Sequence, residues 1–153
     1  MKVRNIVLAS PLAVIPIGDR LYKSATDNRI DVVTDEGTFR FDFRKYFTSN
    51  YRSGGAFVDQ FIDQVVNEKV GPIWWFHDLC YTPCAALDNE HPVSRKLADE
   101  LLRAALVWAG MPRWKANVVY YAVRAFGGSA FDEDDALTSY NSKLFNFEWR
   151  AAA

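Results

Sequence analysis

Thr38-Phe39-Arg40-Phe41-Asp42-Phe43 alternates apolar and polar residues without a break. A strand points successive side chains to opposite faces. This run therefore gathers Phe39, Phe41 and Phe43 on one face and Arg40 and Asp42 on the other. It reads as a half-buried strand of an antiparallel sheet. Just upstream, Asp35-Glu36-Gly37 has the composition of a tight turn, and Arg29–Thr34 reads as the strand on its other side. Leu12–Ile17 and Leu21–Ser24 read as two more short strands. The N-terminal third is thus a small antiparallel hairpin or meander.

Downstream the period changes. Thr48–Gly55 is a loop by composition. Phe57, Phe61, Ile62, Val65 and Val66 then recur at helical spacing, which predicts an amphipathic helix over Ala56–Glu68. Gly71-Pro72 separates it from a short, very apolar helix over Ile73–Tyr81, which ends at Pro83 because proline lacks the amide donor. Val93–Ala109 and Arg113–Phe126 are longer helices. Gly110 suits the C-terminal cap of the first, and Pro112 the first turn of the second. From Ser129 the tail carries the acidic cluster Asp132–Asp135, which reads as solvated surface, and then Tyr140, Phe145, Phe147 and Trp149. The last three alternate as a strand would, and either pack back on the core or dock on a neighbouring subunit. The fold class is α+β in a single domain, 1–153: β-rich over 1–47, a bundle of three to four helices over 55–128, and an extended aromatic tail over 129–153.

Composition narrows the function. The chain has 153 residues, 50% hydrophobic and 15% aromatic, enough for a real core. A net charge of −1 leaves no electrostatic footprint for nucleic acid or an anionic membrane. No apolar run reaches the ~20 residues of a membrane span. Two cysteines are too few for a disulfide framework. Lys2 and Arg4 ahead of Ile6–Ile17 imitate a secretory leader. However, Pro11 and Pro16 interrupt the stretch and no small-x-small site precedes Gly18, so edge or entry strands are expected there.

The chemistry concentrates in Trp74-Trp75-Phe76-His77-Asp78-Leu79-Cys80-Tyr81. A His and an Asp inside an apolar helix each require a partner, because unpaired polar burial is costly. His77 and Tyr81 are i and i+4 and share a face. Asp78 is rotated by about 100° from His77 and serves another side. Asp99, in the polar gap of Leu97-Ala98-Asp99-Glu100-Leu101, is the expected partner of His77. A carboxylate on one imidazole nitrogen sets the tautomer and supports the protonated ring, so the other nitrogen can take a proton from water or a hydroxyl. More often such a cluster simply ties two helices together without catalysis. Arg124, inside another apolar helix, should pair with Asp99 or Asp78. No cofactor is expected. Among metals, calcium held by Asp78 and loop carbonyls is the option to test. Zinc on His77, Cys80, Cys84 and His91 is disfavoured, since Pro83 breaks the helix before Cys84 and the spacing fits no standard module.

In order along the chain stand Phe47, Asn50 and Ser53, then His77, Asp78 and Tyr81, then Ser94, Arg95, Ala98 and Asp99, then Val123, Arg124, Phe126 and Gly127. This order resembles the short phage and prophage proteins called domain of unknown function 1353, over about Phe47 to Gly128. The family tends to carry an Asp where this chain has Asn50, and a Ser-Ile-Pro-like turn where it has Ser53-Gly54-Gly55. The resemblance implies a phage genome and a virion or tail-region role, with other phage structural proteins as partners. Localisation would be the virion, with host cytoplasm during assembly. Self-association is a further expectation, since a near-neutral, aromatic-rich chain suits burial against other subunits. A fainter likeness joins His77, Asp78, Cys80, Tyr81 and Asp99 to the small calcium-dependent phospholipases. It implies His77 as base, Asp78 as calcium ligand and Asp99 as the group orienting His77, without those enzymes' dense disulfides. Three functions follow as expectations. The first is a bacteriophage virion protein of the tail or neck carrying a hydrolase-like His–Asp site. The second is a free-standing hydrolase, phospholipase-like or cell-wall-directed, in which Tyr81 supports the base and Arg124, Asn50 and Ser53 support the site. The third is a secreted lipase-like effector.

Overall fold

The computed structural model describes residues 1–18, 21–50 and 70–153. The helix expected over Ala56–Glu68, and Ser53 with it, lie outside the described residues. The class is α+β, with antiparallel sheets leading into helices.

Seven strands are described: β1 Val3–Leu8, β2 Val14–Pro16, β3 Tyr22–Ser24, β4 Asn28–Thr34, β5 Gly37–Phe43, β6 Thr48–Ser49 and β7 Phe145–Ala151. They form a four-stranded sheet in the order β1-β4-β5-β7 and a three-stranded sheet in the order β2-β3-β6. The β4–β5 hairpin has the register the alternation demands: Ile30 opposite Phe41, and Val32 opposite Phe39. Phe39, Phe41 and Phe43 all point into the core. On the reverse face Arg40 grips Asp31 with two bonds of 2.8 and 2.7 Å, and Arg29 meets Asp42 at 2.7 Å. Gly37 closes the turn at φ 154°, and a side chain there would collide with Trp149 and the Arg150 carbonyl.

The aromatic tail takes the first of its two expected courses. It is β7, pairing Phe43 with Phe145, Phe41 with Phe147 and Phe39 with Trp149. Phe145 is buried, and the Trp149 ring lies 4.4 Å from that of Phe39.

The helices are α1 Val70–Cys80, α2 Arg95–Trp108, α3 Arg113–Phe126, α4 Gly128–Phe131 and α5 Ala136–Ser142. α1 is apolar apart from His77 and Asp78 and lies in the core. Trp75 packs 5.6 Å from Phe43 and 5.9 Å from Phe47, and Phe76 stacks at 6.1 Å on Phe41. Gly71 and Pro72, read above as a break, fall inside α1, near its beginning as described, where a missing amide donor costs least. α2 starts at Ser94, whose hydroxyl accepts from the Leu97 amide at 3.2 Å.

Two further elements differ from the sequence reading. α5 is capped by Asp135, which accepts from Thr138 at 2.7 Å, so one member of the acidic cluster is a helix cap. Thr48–Ser49, read as loop, pairs with β3. The Asn141 side chain of α5 holds Thr48 through both backbone groups, at 3.0 and 2.9 Å.

Candidate functional site

Three helices converge on one carboxylate. α1 supplies His77 and is followed at once by Tyr81, α2 supplies Asp99 and α3 supplies Arg124. His77 Nε2 lies 3.0 Å from Asp99 Oδ1, and the Tyr81 hydroxyl donates to that same oxygen at 2.6 Å. Arg124 donates to Oδ2 at 3.0 Å. The i, i+4 spacing brings the His77 and Tyr81 rings to 4.5 Å. His77 and Asp99 are 0% exposed, while the Arg124 side chain keeps 32% of its surface in solvent. Arg124 therefore chooses Asp99 from the two carboxylates that the sequence allowed.

The electrostatics follow from this packing. Burial pushes the Asp99 carboxyl up, but the bonds from His77, Tyr81 and Arg124 outweigh it and hold the group below the usual carboxylate range. Burial, then the bond to Asp99, pushes the Tyr81 hydroxyl well above its ordinary value. The bond to Asp99 raises Arg124. Burial likewise raises the Cys80 thiol, leaving it protonated and unreactive.

The motif residues outside this quartet serve it. Arg95, at the start of α2, donates to the Val123 carbonyl at 3.2 Å and to the Arg124 carbonyl, so it ties the end of α3 to the start of α2. Its guanidinium also offsets part of the upward push on the Tyr81 hydroxyl. Gly127 lies against that hydroxyl, where a side chain would collide. Ala98 is fully buried beside Asp99. Three of the quoted motifs, scattered in sequence, thus supply residues to one place. Arg95 was read only as part of a motif. Its signal was its place at the first helical position after a capping serine, where a side chain reaches toward a neighbouring helix end.

Asp78 points elsewhere, and the Ser49 hydroxyl donates to its Oδ2. A cleft of about 200 Å³ lies on this side, lined by Ser49, Asn50, Asp78 and Tyr81, with Glu133 and Asp135 opposite. Asn50 is thus brought to the cleft and Arg124 to the buried quartet, whereas Ser53 is outside the described residues. For calcium, Asp78 would be the ligand. Among the described residues no group of three or more His, Cys, Asp or Glu is placed to hold a metal ion. Cys80 and Cys84 are buried free thiols, and Cys84 Sγ donates to the Phe145 carbonyl at 3.4 Å.

No helix among the described residues is long and apolar enough to cross a membrane. No curated protein and no solved structure matches the chain. A family match covers residues 27–123, reaching further upstream than the motif order, over β4 and β5, and stopping one residue before Arg124. The chain belongs to the family described as "Protein of unknown function (DUF1353)".

Proposed function

We propose that this chain is a phage-encoded virion protein whose buried His–Asp centre is a hydrolase, with His77 as general base. The observation that carries the enzymatic part is the 3.0 Å contact of His77 Nε2 with Asp99 Oδ1. An ionised Asp99 can only accept, so the proton of the neutral ring sits on Nε2 and the lone pair on Nδ1. Nδ1 then takes a proton from water as the water oxygen adds to an ester or amide carbonyl. The same proton passes to the departing alcohol or amine when the tetrahedral adduct collapses. Asp99 stabilises the imidazolium in between, and Tyr81 and Arg124 hold Asp99. The cleft bounded by Tyr81 and Asp78 is the place for the substrate. The phage setting rests on the resemblance to phage and prophage proteins.

A second reading is favoured by one observation: His77 and Asp99 are fully buried. In it the quartet is a polar tie among three helices. Turnover of lipid vesicles, simple esters and cell-wall fragments, measured beside the melting temperature, separates the two. The hydrolase requires wild-type turnover that His77→Ala abolishes with little change in melting temperature. No wild-type turnover, together with unfolding of the variant, establishes the tie. The virion role requires a fixed copy number in purified particles, and absence from them removes it.

A further inference from the structure

We propose that the groove between the start of β1 and the paired helices α2 and α3 binds a small phosphate monoester. This inference is independent of the hydrolase reading, since the groove shares no lining residue with the cleft beside Tyr81.

The groove measures about 790 Å³, within the range of small-molecule sites. One face of α2 forms a wall, with Glu100, Arg103, Val107 and Trp108 spaced as neighbours on a helix surface. Arg113 and Asn117, an i, i+4 pair, line it from α3, and Lys2 lines it from the residues that lead into β1.

Charge selects the ligand. Lys2, Arg103 and Arg113 are cationic and Glu100 is anionic, which leaves a surplus of two positive charges among the side chains. The Met1 ammonium is already met by Glu36 at 3.5 Å, and Glu100 has Lys96 at 4.0 Å. Lys2, Arg103 and Arg113 have no carboxylate partner among the described residues. Arg103 is held without one. Its guanidinium carbon lies 4.2 Å from the centre of the Tyr120 ring, a contact with the flat face that leaves the N–H edges for an acceptor. The half-buried Asn117 amide bonds no group among the described residues. Such donors match phosphate oxygens, which a guanidinium can take two at a time. A phosphate monoester carries a charge of about −1.5 to −2 near neutral pH, which the surplus balances.

The apolar part of the lining calls for more than inorganic phosphate. Val3, Val107 and Trp108 lie beside the cations, and Val107 is 37% exposed. The Trp108 ring is fixed by its indole N–H, which donates to the Arg4 carbonyl at 3.1 Å. The organic body of a monoester would cover this surface. A polyanion fits less well, because Glu100 interrupts the positive lining and the chain as a whole carries a charge of −1.

Calorimetric titration of the full chain with adenosine monophosphate, glycerol phosphate, inorganic phosphate and adenosine tests this. One equivalent of a monoester should bind about tenfold or more tighter than inorganic phosphate or adenosine, and more weakly as salt rises. The tighter of the two monoesters tells whether the body is a nucleoside or a glycerol-type headgroup. Arg113→Gln, at an exposed position, and Arg103→Gln should each raise the dissociation constant about tenfold while leaving the melting temperature unchanged. The proposal is overturned if neither monoester binds at millimolar concentration, or if inorganic phosphate or adenosine binds as tightly as both. Monoester binding that survives both substitutions overturns it as well, since the phosphate then sits elsewhere.

Discussion

A Cβ built on Gly127 would lie 2.9 Å from the Tyr81 hydroxyl. The junction of α3 and α4 therefore approaches the quartet closely only because nothing projects from residue 127. Gly127→Ala should push Tyr81 off Asp99 and cost about 1–3 kcal/mol, the usual range for overpacking. Denaturant unfolding measures the cost. Alkaline absorbance titration should show one tyrosine returning toward its ordinary value.

Asp99 has three groups depending on it and should be the costliest polar position. Asp99→Ala leaves His77, Tyr81 and Arg124 without their acceptor, and should destabilise the fold by about 3–5 kcal/mol. Arg124→Gln removes a donor whose charge is partly in water, and should cost only about 1–2 kcal/mol. Equal losses in urea unfolding would contradict this ordering.

The pH dependence has a definite sign on both sides. The folded value of Asp99 is depressed, so its stabilisation is complete above the ordinary carboxylate value and is lost as pH falls through the lower folded value. The folded value of Tyr81 is raised, so its contribution is complete below the ordinary phenol value and is lost as pH rises through the higher folded one. Melting temperature against pH should therefore fall at both extremes. Asp99→Asn should flatten the acid limb and Tyr81→Phe the alkaline limb.

Asn141 joins α5 to β6 by satisfying both backbone groups of buried Thr48. Asn141→Ala leaves an amide and a carbonyl unpaired and should cost about 1–3 kcal/mol. Hydrogen exchange at the Thr48 amide should accelerate while that at β4 and β5 stays unchanged.

Trp75 is fully buried between Phe43 and Phe47, where α1 crosses the sheet. Trp75→Ala should cost about 3–5 kcal/mol through the cavity it opens. Calorimetry that finds a loss under 1 kcal/mol would show that this packing is not central to the fold.

By itself, the order of residues determined everything that has a local period or a local cost. Phe39, Phe41 and Phe43 had to share a face because a strand alternates. Arg113–Phe126 had to be a helix because its apolar spacing and its flanking proline and glycine agree. His77, Asp99 and Arg124 had to find partners because unpaired charge in apolar helices is expensive. Only the tertiary structure decided who those partners are: one oxygen of Asp99 takes both His77 and Tyr81, and the other takes Arg124. It also decided that Phe147 lies beside Phe41 and that Asn141 holds Thr48. Such pairings between distant segments leave no mark on the residues nearby, because their energy exists only once the intervening chain has closed the gap.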